Sequence, residues 1–282
     1  MRFTFILGAV MGLGVVPLSA QNGPAPVIEI FREAIKEGRG PAHEKVEADY
    51  AAGFRKANHP AHYIALTAMS GPSEVWFVQP TPSFGATEDY EKASEKEPLK
   101  SGLAMLEARD GELRASSRTI WAAFRPNLSY HPEKFAGAKP RYLMADTIRI
   151  RLGRDADFLA GAKQYFGAFE KANIDQCTLA YQVVAGAPSG TYLFFTMMDS
   201  MKAMDEQPAR MQAVQQAMGA DTFAQFMKGS GDLFVSTENT LLEVKPGMSY
   251  PSQQTIDANP AFWKPKPAVK PAAAAPAPEK KQ

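Results

Sequence analysis

Ile148, Ile150 and Leu152 alternate with Thr147, Arg149 and Arg151, the two-residue period of a half-buried strand. The period then lengthens. Phe158, Ala162, Tyr165, Phe169 and Ala172 recur at helical spacing behind Asp155, a residue type suited to cap a helix N-terminus. Residues 177–184 predict a strand, 185–190 a Gly/Pro turn and 191–197 an aromatic-rich strand. Residues 200–228 predict a helix broken near Pro208 and Gly219, and 233–244 a last strand stopped at Lys245, Pro246 and Gly247. The chain upstream predicts the same order. A strand over 28–36 precedes a helix from Pro41 to residue 57, with Val46, Tyr50, Phe54 and Ala57 on one face. Strands over 63–69 and 75–78, a helix over 84–108 broken at Pro98, and a strand over 114–124 follow.

The two halves also share residues. Gly111, Leu113, Ser116, Pro126, Ser129 and Tyr130 return 120 positions later as Gly231, Leu233, Ser236, Pro246, Ser249 and Tyr250. Tyr50, Phe54 and Asn58 return 115 positions later as Tyr165, Phe169 and Asn173, and Gly38 and Gly71 as Gly153 and Gly186. Preserved order predicts a tandem duplication of a βαββαβ unit, the ferredoxin-like split βαβ motif. Residues shared by both copies are expected to serve the fold. Tyr130 and Tyr250 then read as structural corners, and Asn58 and Asn173 as helix C-caps with positive φ.

With this element order, the segments EIFRE at 29–33 and GRGPAHE at 38–44 give residues 27–250 a resemblance to the dimeric α+β barrel superfamily. Its relatives include antibiotic-biosynthesis monooxygenases, NIPSNAP-type proteins and chlorite dismutases. The resemblance implies two sheets paired face to face. Here one chain carries both, so the expected fold class is α+β: two tandem ferredoxin-like repeats closing into an intramolecular barrel, a self-contained pseudo-dimer. Pairing would bury an apolar face of each sheet, at about 25 cal/mol per Å².

The flanks differ in kind. Residues 1–20 read as a cleaved export signal, with Arg2, a short apolar run and small residues before Gln21. That predicts a periplasmic or extracellular protein with no transmembrane anchor. The repeats are expected over 24–130 and 141–257, an exposed linker over 131–140, and a disordered Pro/Ala/Lys-rich tail over 258–282. Cys177 is the only cysteine, so no internal disulfide forms. Without Arg2 the chain carries 30 basic and 30 acidic residues and shows no basic stripe, which argues against a nucleic-acid partner.

No phosphate-binding glycine loop, CxxC pair or GxSxG elbow marks a reaction. His43 and Glu47 lie at i, i+4 and could orient one another or hold a metal, yet the zinc-protease pattern fails. A solvated acid-rich helical turn explains them, and no metal centre is expected. His62 falls in a strand, and since some relatives hold haem through a histidine, the resemblance raises haem there. Met198, Met201 and Met204 carry the spacing of a helical Cu(I) site, although methionine is also a common core filler. No cofactor is therefore predicted, with haem and copper as alternatives. Tyr63, Trp76, Trp121, Arg149, Arg151 and Tyr192 are expected to line a ligand cavity between the sheets. The leading functional expectation is a non-enzymatic exported protein holding a small, partly apolar ligand. The alternatives are a cofactor-independent monooxygenase-like enzyme acting on an aromatic substrate, with His43, His62 or Tyr181 as base, and an envelope-interaction protein.

Overall fold

A computed structural model describes residues 23–264; the expected export signal and most of the tail lie outside the described residues. The first half runs β1 (Val27–Ile35), α1 (Gly40–Ala57), β2 (Ile64–Ala68), β3 (Glu74–Thr81), α2 (Ala86–Ser94), α3 (Leu99–Gly111) and β4 (Arg114–Phe124). The second runs β5 (Tyr142–Ile150), α4 (Asp155–Lys171), β6 (Thr178–Ala185), β7 (Thr191–Met198), α5 (Lys202–Asp205), α6 (Gln207–Met218), α7 (Ala220–Leu233) and β8 (Phe234–Val244). Two short helices, α8 (Gln253–Ala258) and α9 (Pro260–Trp263), follow. No helix among the described residues is long and apolar enough to cross a membrane.

The eight strands close into one barrel in the order β1-β3-β2-β8-β5-β7-β6-β4, and every neighbouring pair is antiparallel. Strands β1–β4 therefore sit in the order β4-β1-β3-β2, and β5–β8 in the matching order β8-β5-β7-β6. Two seams join these halves, β2 to β8 and β4 to β6. A closed barrel leaves no unpaired strand edge. The result is a mixed α+β architecture with helices outside the barrel.

Reciprocal contacts lock the seams. Tyr130 donates its hydroxyl hydrogen to the Ile174 carbonyl and Tyr250 to the His59 carbonyl, each at 3.0 Å. Ser129 Oγ accepts from Ala180 N–H at 3.0 Å, and Ser249 Oγ from Ala65 N–H at 2.9 Å. The end of each half is thus tied to the other half. Asn58 and Asn173 adopt φ of 48° and 52° at their helix ends, as capping requires.

Strand alternation sends one set of side chains into the lumen and the other under the helices. Ile28, Ile30, Leu66, Trp76, Leu179, Phe195 and Leu242 form the inner core. Ile150, Phe158, Tyr192 and Phe194 pack together outside it, on the helix side. Three expectations need correcting. β5 begins at Tyr142 rather than Thr147, because Leu143 and Ala145 join the inner core and the apolar residues 142–145 hide the alternation that starts to show at Asp146. The linker is partly a 3-10 helix, Pro132–Gly137, and Phe135 packs on the inner core. Residues 258–263 are not tail: Pro260–Trp263 is helical and returns Phe262 and Trp263 to that core.

Candidate active site

The lumen is divided by chemistry. One end encloses a cavity of about 410 Å³ walled by Ile28, Leu66, Val78, Leu179, Tyr181 and Phe195. Its mouth is framed by Phe135 and Lys139 from the linker and by Phe262 and Trp263 from α9. Among the lining residues, Tyr181 and Lys139 alone carry ionisable side chains. Tyr181 is 3% exposed and donates its hydroxyl hydrogen to the Ala25 carbonyl at 3.2 Å. Burial pushes its pKa up, so it acts as a neutral hydrogen-bond donor. The walls are mostly apolar, with Ser252, Gln254, Thr255 and Asn259 adding polar groups to the lining, an arrangement suited to a flat hydrophobic molecule with one polar edge.

The other end of the lumen is charged. The Arg32 guanidinium lies 3.9 Å from the Trp76 ring centroid and pairs with Glu74, which also accepts from Trp76 Nε1 at 2.9 Å. Burial pulls the Arg32 pKa down, and the Glu74 hydrogen bond opposes it. Arg118, Glu238 and Ser116 line the same end.

The expected site residues scatter between these surroundings. Tyr181 stands in the cavity wall, and Trp76 in the inner core with Arg32 on its ring. Arg149 alternates with the outward Ile148 and Ile150, which puts it on the lumen face; its Nε is buried without a hydrogen-bond partner. Neither Trp76 nor the other three aromatics line the cavity. Tyr63 packs with Phe54, Phe77 and Tyr250, Trp121 meets Phe84, and Tyr192 donates to Asp155 at 2.8 Å on the helix side. Arg151 is exposed and donates to the Asp232 carbonyl. The physical reason is parity: neighbours along a strand face opposite sides, so Tyr192 and Tyr63 point away from a lumen that Leu193 and Ile64 face. The mouth residues Phe135, Lys139, Phe262 and Trp263 were missed. Their signal was an isolated phenylalanine in a polar linker and an aromatic pair at the edge of a Pro/Ala/Lys-rich segment.

His62 lies against Tyr250 with the rings tilted and their centroids 4.7 Å apart, and is absent from the cavity wall. No histidine or cysteine lines the cavity, so the lining residues offer a haem iron neither of those axial ligands. Nor do the methionines converge. Met198 belongs to β7 and is buried, whereas Met201 precedes α5 and is exposed, so the three thioethers do not share one helix. Cys177 is buried, and desolvation pushes its thiol up to about 11.

A second polar centre lies between β1 and the helices α1 and α3. His43 Nε2 is 2.7 Å from Glu33 Oε2, 3.4 Å from Asp110 Oδ1 and 3.9 Å from Glu47 Oε1. Arg114 bridges the outer oxygens of Glu33 and Asp110 at 2.8 and 2.9 Å and also meets Glu107. His43 is 1% exposed, which corrects the expectation of a solvated helical turn. Burial, with Glu33 and Asp110 adding repulsion, pushes the Glu47 carboxyl up to about 9. Burial likewise raises Asp110. Glu33, Asp110 and Arg114 are absent from the expected site residues, because nothing in their local spacing announces that they meet.

No protein-family model matches the chain, and no curated protein does. Solved structures do match in fold. A proposed monooxygenase from Fusobacterium nucleatum subsp. nucleatum aligns with a TM-score of 0.50 at 12% identity, over 81% of this chain and 99% of its own. A tryptophan-to-valine variant of the chlorite dismutase from Candidatus Nitrospira defluvii aligns with a TM-score of 0.50 at 9% identity, over 79% and 92%. The class these define is the α+β barrel fold shared with such proteins. At this identity the likeness is one of fold. The expectation of a non-enzymatic binding protein is corrected on this point: the solved structures that share the fold are described as a monooxygenase and a chlorite dismutase, which favours the enzyme alternative.

Proposed function

We propose that the protein is a monooxygenase-like enzyme that holds an electron-rich aromatic substrate in the apolar end of its barrel. The observation that carries this reading is the cavity of about 410 Å³, large enough for a fused-ring molecule, with Tyr181 in its wall and Lys139 at its mouth. Apolar walls bind the rings and exclude water. The Lys139 ammonium favours the ionised form of a phenol or enol. Tyr181, kept neutral by burial, exchanges its Ala25 carbonyl for the substrate oxygen. Such a substrate is itself the reductant: its CH2 becomes C=O, one oxygen atom of O2 enters the product, and the other leaves as water with the two hydrogens.

The same reading treats residues 24–130 and 141–257 as copies of one ferredoxin-like unit. The matching strand orders and the reciprocal Tyr130 and Tyr250 contacts support it. An exported location, drawn from residues 1–20, is part of the proposal. Oxygen uptake with a panel of anthrones and dihydroxynaphthalenes tests the chemistry. Uptake matched by quinone or ketone formation is expected, and Tyr181→Phe should lower kcat about tenfold, the worth of one hydrogen bond of about 1.4 kcal/mol. No uptake with any of these compounds would remove the proposal.

A further inference from the structure

We infer that Glu33, His43, Glu47 and Asp110 form a structural site for a divalent first-row metal ion, which clamps α1 and α3 to β1. One ligand atom from each residue lies within 4.8 Å of all the others, and all four residues are buried. A tetrahedral ion with bonds of about 2.1 Å would set its ligands roughly 3.4 Å apart. The separations from His43 Nε2, at 2.7, 3.4 and 3.9 Å, bracket that spacing.

Hydrogen bonding leaves the group incomplete without a cation. His43 Nε2 carries at most one hydrogen, and Glu33 Oε2 at 2.7 Å is its nearest acceptor. Asp110 Oδ1, turned toward the same nitrogen and 2% exposed in its side chain, has no hydrogen-bond partner. Three carboxylates thus converge on one ring nitrogen. Arg114 serves the outer oxygens of Glu33 and Asp110 and shares its one positive charge with the exposed Glu107; with the three buried carboxylates ionised and the imidazole neutral, at least two negative charges then remain for a divalent ion to offset.

The second half supplies an internal comparison. At the same offsets, Glu33, His43, Glu47 and Arg114 are replaced by Ile148, Phe158, Ala162 and Phe234, and Asp110 by the uncharged Ser230. The first four pack as an apolar cluster, so an apolar solution fits the matching place in the barrel. Buried charges are commonly less stabilising than such packing unless something binds them. One imidazole and three carboxylates form a mixed N/O set that suits Zn²⁺ or Mn²⁺, and four protein ligands with no exposed position make the site closed.

The test uses the full chain, stripped by chelator in guanidinium and refolded with Zn²⁺, with Mn²⁺ or with chelator alone. After desalting, about one equivalent of at least one of the two ions should be retained. At a hundredfold excess of that ion over its Kd, the Tm should rise by roughly 5–10 °C. Glu47→Gln keeps the side-chain shape. It should retain at least about tenfold less metal and lose the Tm rise, yet melt no lower than the parent in chelator. Asp110→Asn should likewise lose the metal and serves if the first variant fails to fold. Less than about a tenth of an equivalent of either ion in the parent, or undiminished retention in either folded variant, overturns the site. A Tm that Glu47→Gln raises while neither ion shifts the parent would identify a carboxyl that holds a proton instead, and also overturns it.

Discussion

Gly186 shows how a single position can be fixed by its backbone. It has φ of +85°, and a Cβ added there would fall 1.9 Å from the Thr119 carbonyl oxygen. Its counterpart Gly71 has φ of +77° with no atom within 4 Å of the added Cβ. Both need the left-handed region, but at Gly186 the β6–β7 turn also presses on β4. Gly71→Ala should therefore cost roughly 1–2 kcal/mol, and Gly186→Ala more than about 3 kcal/mol because the backbone must also move. Thermal unfolding compares them, and equal Tm losses would contradict the close approach. Shared glycines and asparagines were legible in the sequence because their spacing repeats and only a few residue types tolerate positive φ. The partners of His43 were not. Only the i, i+4 neighbour Glu47 is visible along the chain, whereas Glu33 and Asp110 come from other elements brought together by folding.

At the level of elements, the strands and helices followed their periodicities closely, with the breaks at Pro208 and Gly219 where those residues predict them. The misjudged segments lie at the cavity mouth. Phe135 sits in a stretch that composition marks as linker, and Phe262 and Trp263 fall at the start of the stretch expected as tail. A local reading gives each aromatic no partner, because the partner is the end of the barrel. This placement predicts that Trp263→Ala weakens 1-naphthol binding about tenfold, a loss near 1.4 kcal/mol, while the Tm falls by only a few degrees. Calorimetric titration measures it. Unchanged affinity would show that α9 does not close the mouth.

For the molecule as a whole, eight strands become one barrel with a common interior, and a mixed α+β barrel was legible in the order of the elements. That order did not foretell how the interior is divided into an apolar end and a charged end. That depends on which residues of all eight strands share a level, a relation set by register and not by order. The aromatic residues chosen from the sequence were accordingly divided between lumen and helix side by strand parity. The expectation of a mere binding protein arose because no short motif marks this kind of site. Its chemistry, as proposed, resides in an enclosed volume and a reactive substrate.

Leu179→Trp, which fills the cavity from its wall while leaving both ionisable lining groups intact, tests this account most directly. Oxygen uptake with an anthrone should be at least tenfold slower in this variant than in the parent protein, with the circular dichroism spectrum unchanged. A folded variant that consumes oxygen at the parent rate would place the reaction outside the barrel and contradict the account.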